Sequence, residues 1–347
     1  MAQKIADDST LLNIPEQLAK YEDIHLHKGS VKFMPPIRSM ECRDDDIFVT
    51  SYPKCGTTWM QAIVWLVTSD PDTSSTIMSN SSASLDELVP MLEWPLQKSD
   101  FNDLKGSPDV GLRDWNKMAS PRLMKTHIPF HLLSPDITKQ RKTPKIVYIS
   151  RNPKDMCVSD HKFLSGFSCW SASEHMYLEM SFEKYLENWF DGIVSFGDYF
   201  THNMEFWERR DWDNILFVKY EDLLQDPHRE VTRVARFLGK DLSSERIHQI
   251  TQETMFSRMK QNNVLNNSHW KTIHQRETPF HRKGKCGNWK KHFTVAQSER
   301  MDALYKQRFA GKCGDWKKHF TVAQSERMDA MYQQRFGGSG LQHQFEL

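Results

Sequence analysis

The sequence predicts an α/β fold, a single domain with a central parallel sheet flanked by helices and a turn like a phosphate-binding loop. Three observations lead there. Short β-branched runs alternate with helical stretches: "DIFVTS" before "TTWMQAIVWLVTSD", "KIVYIS" before "PKDMCVSDHKFL", and "NILFVKY" before "PHREVTRVARFLGK". That rhythm is the signature of strands joined by helical crossovers. The first strand also runs through Pro-Lys-Cys-Gly-Thr-Thr straight into its helix, and 347 residues at 38% hydrophobic content suffice for one large domain with a full core.

The helix of the third unit is well punctuated. Asp226 can cap its free amides, Pro227 suits the first turn and Gly239 suits the exit. Residues from about Ser69 to Ser120 are poor in strand signals and rich in Ser, Asp and Pro, and read as long loops and short helices of the kind that cover a site. Near the end the chain repeats itself: Gly284 to Ala310 is followed at once by Gly311 to Gly337, differing only at Asn288/Asp315, Leu304/Met331, Lys306/Gln333 and Ala310/Gly337. Each copy reads as a loop leading into an amphipathic helix. In the first, Thr294 and Gln297 form a capping box, and Met301, Leu304, Tyr305, Arg308 and Phe309 share one face.

With 46 basic and 45 acidic residues the chain lacks the charge excess of a general nucleic-acid or anionic-membrane binder. The first residues carry no signal-peptide core, and no stretch approaches the roughly 18 apolar residues of a membrane span, so a soluble intracellular protein is expected. Six cysteines, Cys42, Cys55, Cys157, Cys169, Cys286 and Cys313, lack the close pairing of a zinc site. Free thiols and no metal are expected.

Four stretches carry chemistry. In "VTSYPKCGTTWMQ", Gly56, Thr57 and Thr58 stand where exposed amides and hydroxyls hold a phosphate, with Lys54 beside the anion. The lysine precedes Gly56, whereas the nucleotide-triphosphatase loop needs it after the second glycine. "VYISRNPKDMCVSD" places Arg151 at a strand end and Ser159 two turns into the next helix, a fork and a hydroxyl suited to a second phosphate. "PFHRKGKCGNW" sets Arg282, Lys283 and Gly284 in a loop fit to wrap an anion. In "PRLMKTHIPF", Lys125 and His127 lie two apart at a strand end and so face one cleft. An imidazole with pKa near 7 suits taking a proton from a hydroxyl. Taken singly, each has a plainer reading: a strand-to-helix turn, an ion-paired arginine, a solvated basic loop, a structural histidine. Their concurrence favours one anion site.

Together the four stretches resemble the cytosolic sulfotransferase family. Its donor loop, Y-P-K-[SC]-G-T-T-W, stands here as "YPKCGTTW", followed in family order by "RNPKDMCVS", "VKYEDL" and "RKGKCGNWKKHFT". The resemblance covers residues 15–310 as the sulfotransferase domain and leaves 311–337 as an appended duplicate of 284–310. It implies 3′-phosphoadenosine 5′-phosphosulfate as the donor and no metal. A P-loop-like loop of Lys54, Cys55, Gly56, Thr57 and Thr58 would hold the 5′-phosphosulfate. Arg151, Ser159, Arg282, Lys283 and Gly284 would surround the 3′-phosphate, and Trp59, Tyr220, Thr254 and Phe256 the adenine. His127 matches the catalytic base, Lys125 a lysine near the sulfonyl oxygens, and Lys54 would stabilise the oxygen left on the nucleotide. The resemblance further implies a small-molecule acceptor and a cytoplasmic location. It also implies a homodimer through a Lys-x-x-x-Thr-Val-x-x-x-Glu contact, here Lys290, Thr294, Val295 and Glu299, and again Lys317, Thr321, Val322 and Glu326.

The chain departs from the family where two aromatic residues commonly follow "VS": here stand Asp160 and His161, which bears on the acceptor pocket rather than the donor. Cys55 replaces the serine of many members. Phe130, Phe163, Phe167 and Trp170 suggest an aromatic pocket for a phenol or hydrophobic alcohol, whereas Asp160 suits an amine-bearing acceptor by charge pairing. Two other functions compete. A small-molecule or nucleoside kinase would need a different lysine order and a magnesium-binding carboxylate after an apolar strand. A non-catalytic nucleotide-binding protein would not need Lys54, His127 and Ser159 together.

Overall fold

All three strand runs form where their alternation places them, and the stretch that carries Lys125 adds a fourth. The computed structural model describes residues 18–79, 83–93, 115–165, 180–266 and 284–309. An antiparallel hairpin, β1 (Leu18–Tyr21) and β2 (Ile24–His27), precedes a four-stranded parallel sheet of β3 (Ile47–Thr50), β4 (Leu123–Thr126), β5 (Lys145–Ser150) and β6 (Ile215–Lys219), in the order β4-β3-β5-β6. Register pairs Val49 with both Lys125 and Val147, and Ser150 with Lys219. All four strands therefore end at the same edge.

The helices that position the site are α1 (Thr57–Thr68), α2 (Leu85–Leu88), α3 (Pro153–Leu164), α4 (Phe182–Phe190), α5 (Tyr199–Trp207), α6 (Tyr220–Gln225), α7 (Pro227–Phe237), α8 (Ser244–Glu253), α9 (Phe256–Gln261) and α10 (Val295–Phe309). Because side chains alternate across a strand, each strand feeds two cores. Ile47, Val49, Val147, Ile149 and Val218 pack with Met60, Ile63 and Val64 of α1 and Val231 and Val234 of α7. Phe48, Ile146, Tyr148 and Phe217 join Phe206 of α5 and Met301 of α10 on the opposite face. Each large side chain so buried is worth about 1.5–3 kcal/mol, and a sheet covered on both faces reads as the apolar runs seen in the sequence.

Asp226 accepts from the Arg229 amide at 3.0 Å and Pro227 occupies the first turn of α7. The short α6 intervenes before it, so Tyr220 opens a helix rather than ending a strand. Ahead of α10, Thr294 Oγ1 and Gln297 Oε1 accept reciprocally from each other's backbone amides, at 3.2 and 2.9 Å. Met301, Tyr305 and Phe309 of α10 are buried, but Arg308 is exposed. It lies at the edge of the apolar stripe, where a guanidinium reaches water. Cys42, Cys55, Cys157 and Cys286 are free; Cys169 and Cys313 lie outside the described residues. No helix among the described residues is long and apolar enough to cross a membrane.

The hairpin is fastened by His131, whose ring nitrogens lie 2.7 Å from Glu205 of α5 and 3.0 Å from Asp23. The hydrogen bond to Glu205, aided by Asp23, raises the His131 pKa to about 9. Its contribution to stability is fully present below about pH 6.5, the unfolded value, and is lost as pH rises through about 9. The Tm deficit of His131→Gln relative to the parent should be largest near pH 6 and shrink toward pH 9; a deficit independent of pH would refute this linkage.

Candidate active site

The ends of β3, β4, β5 and β6 open on one cavity of about 590 Å³, at the carboxyl edge of the sheet where ligands of open α/β folds bind. Of the residues singled out in the sequence, Lys54, Gly56, Thr57, Thr58, Trp59, Lys125, His127, Arg151, Ser159, Tyr220, Thr254, Phe256 and Gly284 all line it. Arg282 and Lys283 lie outside the described residues. The Cys55 side chain is buried in the core instead, and burial pushes its thiol pKa up; only its backbone is left to serve a loop anion.

The β3–α1 turn is built for backbone recognition. Lys54 and Gly56 adopt φ of +62° and +103°, and left-handed residues of this kind turn successive amides toward a common point. A Cβ at Gly56 would lie 2.7 Å from the Tyr220 ring, so glycine is required both for conformation and for the approach of α6. The Thr57 hydroxyl is 2.6 Å from Ser51 Oγ. Arg151 braces this turn by donating to the Lys54 carbonyl at 3.2 Å, reaches the Lys285 carbonyl at 3.2 Å, and stacks over Tyr220 at 4.3 Å.

The segment from Gly284 is held by the start of α3. Asp155 accepts from the amides of Gly287 and Trp289 at 2.7 and 3.1 Å. Lys154 reaches Ser298 and Asp302 of α10, each at 2.7 Å, from beneath the Trp289 ring. The aromatic end of the cavity comprises Trp59 and Tyr220, edge to face at 5.7 Å, and Phe256; the Thr254 hydroxyl is tied back to its own helix at 2.8 Å. Two buried donors on these walls, Arg151 Nε and Trp59 Nε1, have no hydrogen-bond partner among the described residues. Unmet buried donors beside a left-handed turn suit a polyanionic ligand. Gly284, at φ +60°, has Phe256 directly beside it. Gly284→Ala should therefore displace that ring and weaken donor binding by about tenfold or more, read by calorimetry; unchanged affinity would place the donor elsewhere.

At the other end stands His127. Its Nδ1 is 2.8 Å from the Ser51 carbonyl. A carbonyl can only accept, so Nδ1 carries the proton and Nε2 keeps its lone pair. Its backbone is fixed on both sides: the amide donates to Glu93 at 2.5 Å, and the carbonyl accepts from His202 Nε2 at 2.9 Å. Burial, with the charge of Lys125 assisting, lowers the His127 pKa to about 3. Lys125 is paired with Asp86 at 2.9 Å, both buried. Burial raises the pKa of Glu93 to about 7 although it accepts from His127 and Thr126. Asp86 and Glu93 were not anticipated. Asp86 sits within the capping box of Ser84 and Glu87, which marks a helix start and says nothing of a distant lysine.

Phe163 lines the cavity, with Lys54 Nζ 4.0 Å above its ring. Phe130 does not. It packs on Phe206 and Trp212 beneath Arg209, because the turn after β4 carries it behind the sheet end. Phe167 and Trp170 lie outside the described residues. Asp160 lines the cavity too, as do His27, Ser30, Met91, Ser195 and Phe196, and to these last five no sequence signal pointed. Among the described residues no group of three His, Cys, Asp or Glu could hold a metal ion.

The model of the sulfotransferase domain matches residues 44–312. The chain belongs to the sulfotransferase family. It is thereby a sulfonate-transferring enzyme. It is 34% identical to Sulfotransferase 1C2 of Rattus norvegicus over 84% of this chain and 92% of that protein. With Sulfotransferase 1B1 of Canis lupus familiaris it shares 35% identity over 79% and 86%. Among solved structures, retinol dehydratase in complex with androsterone and inactive cofactor PAP superposes with a TM-score of 0.67 at 25% identity, covering 84% of this chain and 88% of that one. A mouse sulfotransferase complexed with PAP shares the fold, with a TM-score of 0.63 at 24% identity and coverage of 92% and 99%.

Proposed function

We propose that this sulfotransferase moves a sulfonate group from 3′-phosphoadenosine 5′-phosphosulfate to a hydroxyl, or an amine, of a small hydrophobic acceptor. The observation that carries the reading is the cavity itself. One end offers buried donors that are unmet among the described residues and an aromatic set for a nucleotide, and the other offers an imidazole whose Nε2 keeps its lone pair. The PAP and androsterone held by retinol dehydratase support a donor of this kind and an apolar acceptor.

Transfer of a sulfonyl group resembles phosphoryl transfer, where positioning and charge stabilisation do most of the catalysis. The acceptor oxygen forms a bond to sulfur as the bridging oxygen of the donor leaves. His127 Nε2 takes the acceptor proton, while the Ser51 carbonyl stabilises the imidazolium through Nδ1–H. Free of ligand, burial and Lys125 keep the ring neutral; an anionic donor nearby acts in the opposite sense and favours the charged ring. Lys54 stabilises the oxygen left on the nucleotide. Transfer of radiolabelled sulfate from the donor to a panel of phenols, alcohols and amines tests the proposal, and donor binding without transfer to any of them would overturn it.

A cytoplasmic location and a homodimer belong to the same proposal. At the start of α10, Val295 is 75% exposed, an apolar side chain presented to solvent inside the Lys290–Glu299 contact motif. The second copy, 311–337, lies outside the described residues. Two facts support treating it as an appendage: the family match ends at residue 312, and Phe309 and Ala310 precede it where Arg282 and Lys283 precede the first copy. Truncation after Ala310 should leave donor affinity and turnover intact. Folded, truncated protein that has lost donor binding would show that the second copy is the one in use.

A further inference from the structure

We infer that the enzyme takes acceptors bearing a protonated amine in addition to the group that is sulfonated, and that Asp160 reads this amine. The inference rests on the proposed reaction and deepens it. Asp160 follows Ser159 on α3 and precedes Phe163 by three residues, and all three line the cavity. It is 7% exposed, and the buried Tyr185 hydroxyl of α4 donates to its Oδ2 at 2.7 Å. A hydroxyl donor orients a carboxylate without cancelling its charge, and a carboxylate so deeply placed is costly without a cation.

Among the described residues the lysines and arginine lining the cavity are Lys54, Lys125, Arg151 and Lys285, and the exposed Lys285 follows Gly284 at the Phe256 end. Lys125 is neutralised by Asp86 at 2.9 Å. Arg151 lies at the aromatic end, over Tyr220 and bonded to the carbonyls of Lys54 and Lys285. The charge that reaches Asp160 is that of Lys54, which the proposed reaction assigns to the donor. Burial lowers the pKa of His27 to about 4 and that of His127 to about 3, so neither ring supplies a competing cation at neutral pH. Burial raises the pKa of Asp160, against the hydrogen bond from Tyr185 and the charge of Lys54, and an ammonium brought beside it favours the ionised carboxylate. With Lys54 turned to a polyanionic donor, an ammonium on the acceptor is the remaining counter-charge. Phe163, Phe196 and Met91 supply apolar walls for the carbon skeleton between the two polar ends.

Three ligands separate charge from size: tyramine, 4-ethylphenol and N-acetyltyramine. Their binding is measured by calorimetry on the full chain saturated with adenosine 3′,5′-bisphosphate, and their sulfonation by kcat/KM. Tyramine should bind about tenfold or more tighter than either neutral phenol, the scale of one charge-assisted hydrogen bond. In Asp160→Asn its advantage over 4-ethylphenol should fall to about one. Equal binding of tyramine and N-acetyltyramine to the parent, no measurable binding of tyramine, or an advantage that survives in Asp160→Asn would each overturn the inference. The comparison on the parent protein decides even if the variant does not fold. Discrimination in binding without any sulfonation would sink the proposed reaction while leaving the recognition of the amine intact.

Discussion

Lys54→Ala is expected to lower kcat by about 100-fold or more, the scale on which a lost charge-stabilising group acts. Lys54 sits in the turn between β3 and α1 at φ +62°, with its Nζ 4.0 Å above the Phe163 ring. Its backbone is anchored separately, through Arg151 to its carbonyl. On the proposed reaction, removing the side chain takes away a charge beside the leaving oxygen while the loop stays braced. The measurement is single-turnover transfer at saturating donor, with circular dichroism to show that the fold persists. Near-normal turnover would mean that the ammonium is not where charge develops.

His127→Ala is expected to cost about 100-fold or more in turnover as well, for a different reason: the acceptor proton has nowhere to go. Donor affinity should survive, because His127 stands at the end of the cavity away from Trp59, Tyr220 and Phe256. That split, turnover lost with donor binding kept, distinguishes a base from a residue that merely shapes the cavity. If the variant turns over at close to the parental rate, the base is another group.

The parts of this molecule legible in the sequence are those encoded by neighbours along the chain. Apolar runs bounded by helical stretches gave β3, β5 and β6. Asp226 with Pro227 marked the start of α7, and Thr294 with Gln297 that of α10. The strand-to-helix turn at Lys54 and Gly56 announced itself because only local geometry is at issue there. What escaped depends on partners far away. The Lys125–Asp86 pair spans 39 positions, and the hold of Glu93 on the His127 amide spans 34. Neither carboxylate lies in a pattern that points to its partner. The hairpin of β1 and β2, four residues to a strand, is too short to read as strands, and is docked through contacts such as the Phe196 amide on the His25 carbonyl at 2.8 Å. Phe130 looked like a pocket residue by composition, yet a single turn after β4 sends it to the core. Arg308 shares a helical face with buried neighbours by spacing, and its charge keeps it at the edge.

The clamp between Asp155 and the amides of Gly287 and Trp289 has a consequence for how the protein is made. The turn that carries Lys54 leaves the ribosome well before the segment fastened by that clamp, which includes Gly284 at the cavity wall. A nascent chain halted before residue 284 has the sheet and the first helix but not the closing wall of the nucleotide end. A ligand stabilises only the state that binds it, so the nucleotide can lend no stability to the growing chain. It rewards only a molecule whose segment from Gly284 to Trp289 has already docked, which makes ligand-dependent protection from proteolysis a measure of that docking.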